Sequence, residues 1–149
     1  MNVTITSCKN PEVEQELVAA TKFFAEELLS HKMLPHITVH LIMKSSMKDL
    51  GSCGVSFYND WYKPREFEIE LRKYRSMRST LITLAHEMVH LKQFAKGELN
   101  ANQNRWCKVP FDIHRSTYLE YPWEVEANRK ERILYKLYTQ QNHIRNHHG

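Results

Sequence analysis

Residues 79–99 read STLITLAHEMVHLKQFAKGEL. Leu81, Ile82, Leu84, Ala85, Met88, Val89 and Leu91 make this a strongly apolar segment. It predicts a helix from about Ser76 to Lys96, closed by Gly97 as the residue past its C-terminal end. Three polar side chains interrupt the apolar run, His86, Glu87 and His90, and part of this trio must lie at or near a buried face. Burying polar groups without partners is costly.

Working outward, Asn10-Pro11-Glu12 is a helix start: a capping side chain, proline at the first helical position, then acids near the positive end. Leu17, Val18, Thr21, Phe24, Ala25 and Leu28 carry that helix to about Ser30. Residues 37–44, ITVHLIMK, are β-branched and strand-like, and GSCGVSFYND reads as a turn and a short strand. EFEIEL (66–71) alternates strictly, which predicts a half-buried strand with Phe67, Ile69 and Leu71 inward. Residues 98–121 look irregular, with Trp106, Pro110 and Phe111 available to pack a long excursion. A last helix is expected from Pro122 to about Gln140, with 138–149 as a flexible basic tail ending in His147-His148. The order predicts an α+β domain: a small antiparallel or mixed sheet packed against the middle, N-terminal and C-terminal helices.

The chain has 149 residues, the size of one domain, and no repeat or linker divides it. Hydrophobic residues make up 42% and charged residues 26%, a globular composition. No run approaches the roughly 18 apolar residues of a membrane span, and MNVTITSCKNPEVEQE lacks the organisation of a secretion signal. Cys8, Cys53 and Cys107 are odd in number and form no C-x-x-C pair. They argue for reduced thiols in the cytoplasm and against a disulfide framework or a cysteine zinc ribbon. The formal charge is +4. Much of the excess lies in Lys63–Arg78 and in the tail ANRKERILYKLYTQQNHIRNHHG, which permits a nucleic-acid or acidic-protein partner but does not require one.

The polar trio has a specific chemistry. Histidines at i and i+4 lie about 40° apart around a helix, so both rings can converge on one ion. Glu87 is carried to the flank of that pair, within reach of a metal-bound water but not of the metal. This is the zinc-hydrolase division of labour in H-E-x-x-H: histidines hold one Zn2+, and the carboxylate takes the proton. A third protein ligand must come from elsewhere, with Glu98, His114, Glu120, Glu124 and Glu126 as candidates. In YPWEVEANRKE, Glu124 and Glu126 flank opposite edges of the apolar stripe Trp123, Ala127, Leu134 and Tyr138, so periodicity does not choose between them. Tyr118, Tyr121 and His114, in the loop before that helix, are candidate donors to an oxyanion. Gly54–Asn59 is the expected sheet edge for an extended peptide.

H-E-x-x-H followed by E-x-x-A-[D/N] resembles the glutamate-zincin metallopeptidases, including the ImmA/IrrE type. The element order, with KGEL and RWCK after the motif, is also similar to SprT-like proteins and to small phage-encoded metallopeptidases. The resemblance covers roughly residues 50–130. It implies a minimal zincin-like fold, His86, His90 and Glu124 as ligands of one zinc ion, Glu87 as base, and Asn128 as a hydrogen-bond partner of a ligating histidine. The implied activity is peptide-bond hydrolysis on a protein or peptide substrate. The alternative is a catalytically silent, metal-stabilised binding module associated with DNA. SprT-like enzymes use histidine as third ligand, for which His114 is the only obvious candidate here, and often carry a cysteine zinc ribbon that this chain lacks.

Overall fold

The computed structural model describes residues 1–56, 63–115 and 117–148, with side chains through residue 144. It opens on a strand outside the expected elements, β1 (Asn2–Thr6), which pairs in parallel with β2 (Thr38–Lys44). Only Val3 and Ile5 mark β1 as apolar, and its partner lies far along the chain, so the local signal is weak. Parallel strands need a crossover, and α1 (Pro11–Leu28) supplies it. Asn10 caps α1 as expected, its side chain accepting from the Glu12 and Val13 backbone N–H groups.

Beyond β2 the sheet continues in parallel to β4 (Glu66–Arg72), which pairs antiparallel with β3 (Gly51–Val55). The order β1-β2-β4-β3 makes this a mixed sheet with β3 at one edge. Gly54 and Val55 of the expected substrate edge belong to β3, whereas 57–59 lie outside the described residues. On the inner face Val39, Leu41 and Met43 stand beside Phe67, Ile69 and Leu71, all buried. The other face carries a polar ladder. Thr4 Oγ1 and His40 Nδ1 are 2.7 Å apart, His40 Nε2 and Glu66 2.6 Å, and Lys44 pairs with Glu70 at 3.0 Å.

The helix expected around H-E-x-x-H is α2 (Met77–Ala95). Ser76 caps it by accepting from the Ser79 N–H, and Gly97 takes the left-handed conformation past its end (φ +73). From Thr80 to Ala95 every residue but His86 is buried, because α1, β3, β4 and a third helix all pack on α2. That helix is α3 (Pro122–His148). It buries Trp123, Ala127, Leu134 and Tyr138, the expected stripe. The Tyr138 ring meets Phe23 and Phe24 of α1 at centroid distances of 5.5 and 5.8 Å. The expected tail from residue 138 is corrected here: Tyr138 is a core residue, and the backbone helix runs on to His148.

Between α2 and α3 the chain forms a two-residue hairpin, β5 (Arg105–Trp106) with β6 (Val109–Pro110), and two short 3-10 turns. Trp106, Phe111 and Tyr121 pack on Trp123 at centroid distances of 6.3, 5.1 and 5.0 Å. This aromatic cluster anchors the excursion to the start of α3, whereas Pro110 is exposed. No helix among the described residues is long and apolar enough to cross a membrane.

Candidate metal centre

The i, i+4 spacing on α2 brings the His86 and His90 Nε2 atoms to 3.2 Å, with the rings edge to face. Glu124, in the first turn of α3, reaches between them. One of its carboxylate oxygens is 2.7 Å from His90 Nε2 and the other 3.2 Å from His86 Nε2. The three residues form a group able to hold a metal ion, and among the described residues it is the only such group. The fit rests on chemistry and spacing. Two imidazoles and a carboxylate suit a borderline divalent ion. Donors around a tetrahedral ion with bonds of about 2.0–2.1 Å stand roughly 3.3 Å apart, close to the two 3.2 Å separations from His86 and wider than the 2.7 Å hydrogen-bond distance between His90 and Glu124.

Electrostatics explain why this cluster persists in a buried setting. Burial pushes the Glu124 carboxyl up, but hydrogen bonds from His86 and His90, with their charge, overcome this and hold it at about 2. Burial likewise depresses His90, yet the Glu124 hydrogen bond and the Glu87 and Glu124 charges leave it raised overall. A metal ion must compete with protons for the His90 ring, so its binding couples to pH.

Glu87 lines the same cavity, of about 630 Å³, with Leu50–Cys53 of the β3 side, Thr83, Tyr118, Asn128 and Glu131. Its carboxyl is raised to about 6: burial dominates, His90 and His86 offset part of it, and Glu124 and Asp49 add to it. Tyr118 extends over the site from the excursion. Its hydroxyl is held well above the usual phenol range by burial, by the Glu124 charge and by a hydrogen bond to Glu124. The Cys53 thiol is pushed up by burial and by Glu87, so it stays a neutral wall group.

The remaining expected residues fall elsewhere. Glu126 turns to the other side of α3, where it accepts from Lys92 Nζ and Gln93 Nε2 at 2.9 Å and meets Lys130 at 3.2 Å. Glu98 pairs with Lys92 at 2.8 Å. Glu120 and His114 are exposed in 3-10 turns. Tyr121 packs on Trp123 and donates to the Ile113 carbonyl, away from the cavity. Asn128 is on the cavity wall, but the contacts to the outer ring nitrogens come from two residues outside the expected set. Gln93 Oε1 is 2.8 Å from His90 Nδ1, and Glu131 is 3.6 Å from His86 Nδ1. Helical spacing carries a signal for both, since Gln93 stands three residues after His90 and Glu131 seven after Glu124.

No family model, curated protein or solved structure matches this chain.

Proposed function

We propose that this protein is a zinc-dependent metallopeptidase, with Glu87 as the proton-transfer group. The observation that carries the reading is the convergence of both Nε2 atoms and the Glu124 carboxylate, 2.7–3.2 Å apart, in a cavity that Glu87 also lines. Three protein ligands with an open fourth position distinguish hydrolytic zinc sites from structural ones. Bound there, zinc supplies Lewis acidity toward a carbonyl oxygen and lowers the pKa of water.

The chain's own residues account for the rest. A carboxyl raised to about 6 takes a proton from water and returns it to a leaving amine near neutral pH, as a general base and then acid must. The Tyr118 hydroxyl, kept protonated and hydrogen-bonded to Glu124, is the donor proposed to turn to a developing oxyanion. β3 borders the cavity as an edge strand, so an extended peptide can pair with its backbone, which favours a protein substrate over a small amide. The three free cysteines are in keeping with a reducing, cytoplasmic compartment.

The test is Glu87→Gln. The variant is expected to bind one zinc ion per chain, as the wild type does, and to lose cleavage of unfolded casein by at least 100-fold. Zinc binding with equal inertness of both proteins across a broad peptide panel would favour the silent binding module. A cleavage rate that changes on adding single-stranded DNA would support a DNA-associated role.

A further inference from the structure

We infer that Gln93 is a positioning residue that presets the metal cage by holding His90 in one tautomer and tying α2 to the turn that bears Glu124. The inference rests on the metal-site reading above but is drawn from this chain's own hydrogen bonds.

Gln93 is fully buried, and every polar group of its amide has a counterpart. Its Nε2 is 3.0 Å from the Trp123 carbonyl oxygen and 2.9 Å from Glu126 Oε1. Both of those oxygens only accept, so the amide NH2 must face them and spends its two hydrogens there. The amide orientation is thereby decided, and Oε1 must be the atom 2.8 Å from His90 Nδ1. An amide oxygen also only accepts, so Nδ1 carries a hydrogen. Nε2 faces His86 and, at 2.7 Å, a Glu124 oxygen that also only accepts, so without metal it carries a hydrogen as well; a metal ion takes the place of that hydrogen and leaves Nδ1–H bonded to Gln93.

The same amide grips the other half of the cage. Trp123 directly precedes Glu124, so the bond to its carbonyl holds the backbone that sets the third ligand. Glu126, the second acceptor, is itself fixed by Lys92 and Lys130. One side chain thus connects one ligand's ring to another ligand's helix. Outer partners of ligating histidines typically change metal affinity 10–100-fold when removed.

The experiment compares wild type with Gln93→Leu, similar in size but unable to make these bonds, and Gln93→Glu, which keeps the acceptor and loses both donors. Zinc affinity is read by competition with a chromophoric chelator. The His90 tautomer is read by nitrogen-15 NMR of zinc-loaded protein, in which the ion takes the place of the Nε2 hydrogen. Gln93→Leu is expected to weaken zinc binding 10–100-fold and to lose the pure Nδ1–H tautomer. Gln93→Glu is expected to keep that tautomer while binding zinc more weakly than wild type. If Gln93→Leu does not fold, the tautomer in wild type and Gln93→Glu still decides. Wild-type His90 in the Nε2–H form, or Gln93→Leu with unchanged tautomer and affinity, overturns the inference. A wild type that binds no zinc but carries an exchange-protected hydrogen on His90 Nδ1 overturns the metal reading and leaves the Gln93 assignment intact.

Discussion

Gly51, on the edge strand, lies directly against Glu87 of α2. A β-carbon at position 51 would stand 3.2 Å from Glu87 Cγ and only 2.7 Å from Thr83 Cγ2. The Thr83 methyl cannot swing away freely, because its β-branched side chain is stiff and its hydroxyl accepts from Arg75 at 2.8 Å. A hydrogen at this position lets the helix carrying Glu87 sit close to the strand proposed to bind substrate.

Gly51→Ala should therefore force α2 or β3 to shift, costing roughly 1–3 kcal/mol as overpacking does. It should lower peptide cleavage about tenfold or more, while zinc stoichiometry stays at one, because the contacts of an added β-carbon fall on Thr83, Glu70 and Glu87 rather than on His86, His90 or Glu124. Chemical unfolding and metal analysis on the same preparation check this. Unchanged activity and stability would mean that the close approach carries no function.

Glu124 and Glu126 are two residues apart and are predicted to behave oppositely. Glu124→Ala should abolish tight zinc binding, since it removes one of three donors. Glu126→Ala should retain the metal but lose stability on the order of 1–3 kcal/mol. It strips Lys92, whose side chain is 7% exposed, of one of its two carboxylate partners, Glu98 remaining. Metal content after dialysis and urea unfolding of both variants separate the two roles. Loss of zinc from Glu126→Ala with retention in Glu124→Ala would reverse the ligand assignment.

Glu87 should cost the metal-free protein stability at neutral pH. Its folded pKa of about 6 lies above the ordinary 4.5, so between those values the native state binds the extra proton. Stability then falls as pH rises from about 4.5 to 6 and stays lower above that, by about 2 kcal/mol for a shift of this size. In chelator, Glu87→Gln is expected to be the more stable protein at pH 7.5, with the gap closing as pH approaches 4.5. A gap independent of pH would show that the Glu87 charge is not what burial penalises.

Much of this molecule was legible from local patterns. The caps at Asn10 and Gly97, the inward set Phe67, Ile69 and Leu71, and the pairing of His86 with His90 each depend on residues within one element. There, backbone period and capping chemistry dictate which side chains share a face. β1 escaped because parallel pairing with a strand more than thirty residues away leaves only two apolar positions as a local mark.

Helical periodicity left the choice between Glu124 and Glu126 to the tertiary structure. Both flank the same apolar stripe of α3, and the helical period treats them alike. What separated them was the angle at which Trp123, Ala127, Leu134 and Tyr138 seat α3 on its neighbours. That angle aims Glu124 at two imidazoles and Glu126 at Lys92 and Gln93. A helix's own period fixes which of its residues are neighbours, whereas only packing fixes what those neighbours face.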